Sequence, residues 1–406
     1  MGEVTAMQTA LSNEMACVLQ AYVGASSVSN REVYERTAEA LALDPEEHRC
    51  RRPVGASGAL HNKFHRSVRW HQQNLRSLGL LERLDRGVWQ LTSRARHELE
   101  PAAPRQVMIA FSTDLGIALW GNCQDVLNAL DDEITLCLMS PPYPLAKPRK
   151  YGNPDEAEYV QWLCRLIEPA IKKLRQGGNL LLNVSNDIFE RGLPSRSLYV
   201  ERLTLALSGM GLSLMDRCVW VNPTKPPGPV RYASIQRNQL NAGYEHCLWL
   251  TNNPRQVVAD NRRCLQPHST TQERLMANGG EKRTAIYADG AYRLRPGSFG
   301  NVTPGSIARN VLSIPHRDND QRVSREWAAS RGLPAHSALM PLGVADFFVK
   351  FLSEPGDLVV DPTAGWATTG KAAELNGRRW LVVERCREHI AAAAERFRGC
   401  PGFTST

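Results

Sequence analysis

Apolar residues recur at helical spacing in two segments near the start of the chain, residues 31–43 and 60–78. They fall on one face of each segment, which predicts two amphipathic helices. The positions on these faces are Val33, Thr37, Ala40, Leu41, Phe64, Val68, Leu75 and Leu78. Two short β-prone runs follow in LLERLDRGVWQLT, around a turn at Gly87, a residue type that accepts positive φ. Helices followed by a tight hairpin predict a winged helix-turn-helix domain over residues 1–105.

Positive charge is concentrated in this predicted domain, since residues 51–96 contain ten Lys or Arg and only Glu82 and Asp85 as acids. The second helix and the hairpin tip present Lys63, Arg66, Arg69, Arg76 and Arg86. The segment resembles the N-terminal winged-helix module of Mrr-type restriction proteins, which ends in a similar Gly-Leu-hairpin-Thr pattern. We therefore expect these side chains to contact DNA. The alternative is a winged helix used for dimer contacts.

A continuous apolar run at 134–139 predicts a buried strand, and this strand ends at the tetrapeptide Ser140-Pro141-Pro142-Tyr143. Two prolines cannot continue a sheet ladder, so the chain must leave the sheet there in a rigid turn. Open α/β sheets bind ligands at the carboxyl ends of their strands. The tetrapeptide therefore predicts a binding site, with side chains from its serine and tyrosine and with backbone carbonyls freed from the ladder.

A βαβ unit is predicted over 356–386, where strand DLVVD is followed by a Gly-containing turn, a helix that ends at Gly377 and a second strand, WLVVE. Asp361 ends the first strand, Gly365 lies in the turn, and Glu384 follows Gly365 by 19 residues. Nucleoside-binding units place the acid that binds ribose hydroxyls at about this spacing. No GxGxxG or GxxxxGK[ST] motif occurs in the chain. The pattern therefore favours a nucleoside without phosphate.

Together, the two pieces resemble the amino-methyltransferases that act on DNA with S-adenosylmethionine. In that family a [D/N/S]PP[Y/F/W] turn receives the target amine, and a D-P-F-x-G-[S/G]-G-T-type loop holds the cofactor. Here the catalytic turn precedes the cofactor loop by 221 residues, the order typical of the family's beta class. The resemblance implies an α/β fold, a Rossmann-like sheet with helices on both faces. It implies a catalytic half at 106–250, an inserted target-recognition region at 251–335 and a cofactor-binding half at 336–406.

The resemblance also implies which residues bind the cofactor. They are Asp361, Thr363, Ala364, Gly365, Trp366, Thr368 and Glu384, with Met340 from HSALMP and Asn122 from LWGNCQDVLNAL. The loop departs from the family pattern at Thr363, where Phe is usual, and at Trp366-Ala367, where two small residues are usual. Trp366 either packs over the cofactor or reshapes the loop. No metal is expected in the site.

An exocyclic amine is a poor nucleophile because its lone pair is delocalised into the base. In this interpretation Ser140 Oγ and the Pro141 carbonyl accept hydrogen bonds from the amine, and Tyr143 stacks on the flipped-out base. Transfer is then a direct displacement that depends on positioning more than on a strong base. Serine at the first position slightly favours N4 of cytosine, and N6 of adenine is the alternative. C5-cytosine chemistry is excluded because no Pro-Cys dipeptide occurs.

Two further segments are expected to contact DNA. The loop beside the catalytic turn carries Lys147, Arg149 and Lys150, which form either a phosphate clamp or a mobile charged loop. Residues 251–335 lack sustained periodicity and are rich in Arg, Asn, Gly and Pro. The candidate base or phosphate readers there are Arg262, Arg263, Arg293, Arg295, Arg309, Arg317 and Asn319.

Composition limits the setting of the protein. The 406 residues carry a formal net charge of +8, which is compatible with a polyanionic partner without establishing one. The chain contains no 18-residue apolar run of the kind that predicts a transmembrane helix, and the first twenty residues lack the pattern of a signal peptide. Ten cysteines without a CxxC pair are expected to be reduced thiols in the cytoplasm.

Double-stranded DNA is the expected partner. A homodimer on a palindromic site is an open possibility, and so are a cognate restriction enzyme and a solitary role. Two other functions stay open. One is a degenerate methyltransferase that acts as a DNA-binding regulator and does not bind the cofactor, and the other is methylation of structured RNA.

Overall fold

The computed structural model describes residues 15, 17–18, 21–22, 25, 27–41, 43–44, 50–54, 59–77, 80–92, 101–145, 153–331, 333, 336 and 339–405. The chain divides into two compact units. The first unit comprises Met1–Glu100 and Arg322–Ser337, and the second comprises Pro101–Gln321 and Ala338–Thr406.

The first unit contains both predicted helices and the predicted hairpin. Its elements are β1 (Val28–Ser29), α1 (Asn30–Ala40), β2 (Arg52–Val54), β3 (Ala59–His61), α2 (Lys63–Ser77), β4 (Leu81–Asp85) and β5 (Val88–Leu91). Helix α1 begins with a capping box, in which Ser29 and Glu32 satisfy each other's backbone N–H groups. Strands β1, β5 and β4 form a three-stranded sheet, and Gly87 makes the β4–β5 turn with φ +81°. Val33, Val68 and Trp89 join its apolar core.

The second unit carries the remaining strands. They are β6 (Val107–Ser112), β7 (Gly116–Gly121), β8 (Ile134–Met139), β9 (Leu174–Ser185), β10 (Ser213–Val221), β11 (Tyr244–Thr251), β12 (Ala285–Tyr287), β13 (Tyr292–Leu294), β14 (Val311–Ser313), β15 (Leu358–Asp361), β16 (Arg379–Glu384) and β17 (Thr404–Ser405). Its helices are α3 (Cys123–Asn128), α4 (Glu156–Lys172), α5 (Tyr199–Gly209), α6 (Thr270–Ala277), α8 (Leu342–Leu352), α9 (Thr368–Leu375) and α10 (Arg387–Ala394). Helix α7 (Asn319–Ser330), which the sequence pattern did not predict, begins in this unit.

Ten strands form one sheet in the order β14-β10-β11-β9-β8-β15-β16-β7-β6-β17. The five strands from β9 to β7 are parallel, and β11 is inserted antiparallel between β9 and β10. Strands β8 and β15 are buried along their whole length, as expected for central parallel strands. The catalytic turn and the cofactor loop, 221 residues apart in sequence, therefore follow adjacent strands.

Helices cover both faces of this sheet, as the fold class predicts. Leu358 and Val360 of β15 pack in a core cluster with α3, α4 and α5. The side chain of Val359, between them, lies on the opposite face of the sheet, because side chains alternate along a strand. Helices α8, α9 and α10 contribute no residue to that cluster and contact the central strands and β6. Within the described part of the chain, no helix is long and apolar enough to cross a membrane.

Candidate active site and cofactor pocket

The catalytic turn leaves the sheet where the sequence places it, directly after β8. Pro141 is buried, and Ser140, Pro142 and Tyr143 are half-buried. The Ser140 hydroxyl lies 3.1 Å from the Tyr143 hydroxyl, so the two polar groups of the tetrapeptide contact each other. The turn is therefore compact, and its two hydroxyl groups form a hydrogen-bonded pair at the carboxyl end of β8.

Two neighbouring strands supply hydrogen-bond partners for Tyr143. The sequence pattern did not predict these partners. The Tyr143 hydroxyl lies 2.8 Å from Glu245 Oε2 at the start of β11 and 3.0 Å from Asn183 Oδ1 in β9. Glu245 pairs with Ser185 in the antiparallel β9–β11 register, which brings the start of β11 to the carboxyl end of β9. The available signal was the carboxylate in YEHCLWLT, a strand otherwise suited to burial.

Burial dominates the electrostatics of this group. It raises the pKa of Glu245, although the hydrogen bond from Tyr143 and the nearby charge of Lys225 oppose the increase. Burial, followed by the charge of Glu245, also raises the pKa of Tyr143 well above its ordinary value. Tyr143 therefore stays a neutral phenol at physiological pH. Lys225 is also held in place by Asp187, whose Oδ2 lies 3.7 Å from the ammonium nitrogen.

The cofactor loop is organised by carboxylates at the ends of β15 and β16. Asp361 accepts hydrogen bonds from the Thr363 backbone N–H at 3.0 Å and from the Thr369 hydroxyl at 2.7 Å. Glu384 accepts one from the Gly365 backbone N–H at 2.7 Å and another, also at 2.7 Å, from that of Cys386. The structure thus brings together the acids and the turn that the sequence analysis predicts as neighbours.

The two carboxylates differ in their preferred charge. Burial raises the pKa of Asp361 to about 7, although its two hydrogen bonds oppose the increase. Burial also disfavours the charged form of Glu384, but His389 and the two backbone N–H groups outweigh it and hold the pKa below its usual value. Glu384 is therefore an ionised acceptor at neutral pH, where Asp361 titrates.

The altered part of the loop is anchored by a residue that the sequence analysis did not identify. The buried guanidinium of Arg396 donates to the Trp366 carbonyl oxygen and, at 3.0 Å, to the Thr368 hydroxyl. It also pairs with Asp320, with 2.6 Å between Nε and Oδ2. Trp366 is fully buried, and Ala367 has a left-handed backbone (φ 54°, ψ 40°), a conformation that favours glycine. Arg396 therefore clamps the loop on both sides of Ala367, through the Trp366 carbonyl and the Thr368 hydroxyl.

The donors and acceptors of this loop fit a nucleoside. Glu384 Oε2 accepts the Gly365 N–H and has a second lone pair that can accept from a hydroxyl donor, whereas Oε1 accepts the Cys386 N–H and lies 3.8 Å from His389 Nδ1. The Thr363 hydroxyl is buried and has no hydrogen-bond partner within the residues described.

Glu384, Cys386 and His389 also place potential metal ligands within 4.8 Å of one another. The expectation that no metal binds there stays a prediction.

Two other predicted cofactor residues lie at the edges of the loop. Asn122 directly follows β7, whose neighbour β16 ends at Glu384, and its side chain caps α3 through the Gln124 N–H at 3.0 Å. Met340 is buried just before α8, and Ala364 is buried within the loop. Their contacts with the cofactor stay predictions.

Several predicted DNA-contact residues are exposed. They are Lys63, Arg66, Arg69, Arg76 and Arg86 in the first unit, and Arg262, Arg293, Arg295, Arg309 and Arg317 in the second. Arg262 is paired with Asp260 at 2.7 Å. Arg263 is half-buried and donates to the Ser353 carbonyl at 2.9 Å. The predictions for Lys147, Arg149 and Lys150 fall outside the described residues.

Comparison with known proteins agrees with this arrangement. A family model described as DNA methylase, of the N6 and N4 type, matches residues 134–395, and a model of the Mrr N-terminal domain matches residues 12–100. The type II methyltransferase M.PvuII of Proteus hauseri is 29% identical over 290 residues, 71% of this chain and 85% of the relative. M.BglII of Bacillus subtilis is 24% identical over 285 residues, 68% of each chain.

Among solved structures, the cytosine-N4-specific PvuII DNA methyltransferase superposes with a TM-score of 0.54 at 24% identity, covering 74% of this chain and 89% of that chain. This likeness confirms the predicted fold. The DNA methylase model spans well over half of the chain. The chain therefore belongs to the DNA methylase family and is an S-adenosylmethionine-dependent DNA methyltransferase.

Proposed function

We propose that the enzyme methylates N4 of a cytosine flipped out of duplex DNA. The observation that carries this proposal is Ser140, a neutral hydroxyl at the first position of the catalytic turn, where adenine-N6 enzymes more often have a carboxylate. The PvuII relative with the same fold, described as cytosine-N4-specific, supports the same base. N6 of adenine is the alternative, because a serine oxygen accepts a hydrogen bond from either amine.

In this proposal the catalytic turn orients the amine. Ser140 Oγ and the Pro141 carbonyl accept its two hydrogens, which directs the nitrogen lone pair toward the methyl donor. Pro142 keeps the turn rigid, and the ring of Tyr143 stacks on the base. Fixed orientation of this kind is an effective source of rate when the reaction is a direct displacement.

The cofactor loop binds the methyl donor. S-adenosylmethionine supplies, when bound, a methyl group on a positively charged sulfur. Glu384 accepts hydrogen bonds from the ribose hydroxyls, and the Thr363 hydroxyl offers a further polar contact. We assign Asp361, Gly365, Thr368 and Asn122 to the remaining polar surface of the pocket. We assign its apolar surface to Ala364 and Met340, and the fully buried Trp366 supports the loop without forming part of that surface.

We infer that basic side chains of both units hold the DNA. We assign phosphate contacts to Lys63, Arg66, Arg69 and Arg86, together with Lys147, Arg149 and Lys150 beside the turn. Base or phosphate contacts in the target-recognition region are assigned to Arg262, Arg263, Arg293, Arg295 and Arg317. A homodimer would address both strands of a palindromic site, and sedimentation showing only monomers on DNA would count against it. A cognate restriction enzyme or a solitary role fits equally, and we place the enzyme in the cytoplasm.

The test is mass spectrometry of nucleosides from plasmid DNA incubated with the protein and S-adenosylmethionine. Ser140→Ala removes the proposed acceptor, and Ser208→Ala, an exposed position on α5, is the matched control. We expect N4-methylcytosine from the wild type and the control and its loss in Ser140→Ala. N6-methyladenine would overturn the choice of base but retain the site. The absence of methylated bases on diverse DNA would favour a regulator without activity.

A further inference from the structure

Three oxygen atoms form a continuous chain that leads away from the catalytic turn. Ser140 Oγ lies 3.1 Å from the Tyr143 hydroxyl oxygen, which lies 2.8 Å from Glu245 Oε2. The first two groups follow β8, whereas Glu245 begins β11, 102 residues beyond Tyr143. The chain of hydrogen bonds therefore ends at the Glu245 carboxylate, which has no role in the reaction proposed above.

The hydrogen-bond directions in this chain follow from counting donors. Tyr143 has one hydroxyl proton and three possible acceptors within reach, Glu245 Oε2 at 2.8 Å, Asn183 Oδ1 at 3.0 Å and Ser140 Oγ at 3.1 Å. A carboxylate is a stronger acceptor than an amide or hydroxyl oxygen, and Glu245 Oε2 is also the closest of the three, so Tyr143 donates to Glu245. The phenol oxygen then accepts the proton of Ser140. This arrangement leaves both lone pairs of Ser140 Oγ for the target amine.

We propose that Glu245 is the final acceptor of the proton released by methyl transfer, and that Ser140 and Tyr143 relay this proton to it. The inference rests on the proposed function, because it needs an amine bound at Ser140. It adds a destination for the proton that the displacement itself does not provide.

The relay balances atoms and charge. The amine lone pair forms the new N–C bond while the C–S bond breaks and leaves its electrons on sulfur. The methylated nitrogen, now positive, gives one proton to Ser140 Oγ, as the Ser140 proton passes to Tyr143 and the Tyr143 proton to Glu245 Oε2. The positive charge on sulfur and the negative charge on Glu245 therefore disappear together. No net charge is created in a buried site, where an isolated charge is costly.

The surroundings of Glu245 suit this role. The titratable groups that act on it from the packed elements are Tyr143, Lys225, Asp187, Tyr199 and Cys247. Burial raises the pKa of Glu245, which makes it a better proton acceptor than an exposed glutamate, while Lys225 favours its charged form before the reaction. Glu245 is a half-buried residue rather than a fully buried one, so the proton can pass to water after each turnover.

The experiment measures single-turnover methylation of duplex DNA between pH 5 and pH 9 with saturating cofactor, which removes any contribution of Asp361 through cofactor binding. Glu245→Gln keeps the shape of the side chain but cannot take the proton, and Tyr143→Phe keeps the ring but interrupts the chain. Glu201→Gln, an exposed glutamate of α5, is the matched control. Melting temperature and cofactor affinity are measured for each variant.

We expect Glu245→Gln and Tyr143→Phe to slow transfer by about 100-fold, the usual contribution of a proton-transfer group, with cofactor and DNA affinities unchanged. The double variant should be no slower than the slower single variant, because both changes interrupt one relay. The wild-type rate should fall in acid as Glu245 becomes protonated, and this limb should be absent in Glu245→Gln.

Wild-type rates with an intact acid limb in Glu245→Gln would overturn the relay while leaving the proposed methylation in place. If Glu245→Gln does not fold, Tyr143→Phe decides, since a tyrosine that only stacks would keep its rate as phenylalanine. Wild-type protein that methylates no base would instead refute the proposed function. The two failures are thus distinguishable.

Discussion

Asp361 should make the folded protein less stable as the pH rises, and replacing it with asparagine should remove this dependence. The carboxylate is buried at the end of β15, and its pKa is about 7 in the folded protein against 3.8 ordinarily. Between these values the unfolded chain has released the proton while the folded protein still binds it. The folded state therefore binds more protons, and its stability falls as the pH rises through this window.

The size of the effect follows from these two values. Each tenfold difference in proton affinity is worth about 1.4 kcal/mol, so the complete penalty above pH 7 is about 4 kcal/mol. Only part of it accumulates within a range convenient for experiment. Between pH 5.5 and pH 8.5 the wild type should lose about 2 kcal/mol relative to Asp361→Asn.

The asparagine variant can keep the local hydrogen bonds. Its amide oxygen can accept from the Thr363 N–H, and its amide nitrogen can donate to the Thr369 hydroxyl oxygen. The Thr369 proton then has an alternative acceptor in the Leu138 carbonyl, 3.3 Å away. The substitution therefore removes the titration and can keep the hydrogen bonds with Thr363 and Thr369.

The assay is urea unfolding of the cofactor-free protein at the two pH values, with Asp131→Asn, an exposed surface position, as control. The control should follow the wild type at both. A free energy of unfolding of the wild type that stays constant or rises relative to that of Asp361→Asn between pH 5.5 and pH 8.5 would refute the reasoning. A constant difference would mean that Asp361 is already ionised in the folded protein at pH 5.5.

Two further predictions concern the cofactor loop. Arg396→Ala should lower the free energy of unfolding by about 3–5 kcal/mol, because it leaves Asp320 and the Trp366 carbonyl without their buried cation. It should also weaken S-adenosylmethionine binding, measured by calorimetry. Glu384→Gln should weaken that binding at least tenfold, about 1.4 kcal/mol or more, since an amide cannot accept from both backbone N–H groups.

Each of these changes has a matched control in the chain. Arg398 lies two residues after Arg396, is exposed and pairs with Glu395. Arg398→Ala should therefore leave cofactor binding unchanged. Glu326→Gln replaces an exposed glutamate of α7 and serves the second experiment. Cofactor affinity that is equal in Arg396→Ala and Arg398→Ala would show that the clamp does not shape the pocket. Unchanged affinity in Glu384→Gln would remove Glu384 from the ribose site.

The two chemical motifs could be predicted from the sequence because each is encoded within a few residues. Proline cannot continue a ladder, so a strand followed by Pro141-Pro142 must end in a turn. An apolar strand that ends on Asp361, followed by glycine and a second strand that ends on Glu384, is likewise a local pattern. The winged helix was predicted for the same reason, from helical spacing and a glycine turn.

The partners of these motifs depend on strand order, and the chain does not encode strand order locally. Tyr143 contacts Glu245 because β11 inserts beside β9, and Arg396 contacts Trp366 because the segment after α10 packs against the cofactor loop. Neither Glu245 nor Arg396 belongs to the catalytic turn or the cofactor loop. Arg396 would look like a surface charge from its neighbours, and the only local signal for Glu245 is its place in a strand otherwise suited to burial.

The sequence by itself therefore determined the kind of chemistry, the order of its two pieces and the residues that begin it. These features depend on where strands end, where turns are rigid and which residue types stand there. Local backbone and side-chain preferences decide all three. Only the tertiary structure decided which buried charges support those residues and how Trp366 and Ala367 are accommodated. Burial and partners across a hundred residues arise from packing the whole sheet, and they set the pKa of Asp361 and the hydrogen bonding of Tyr143.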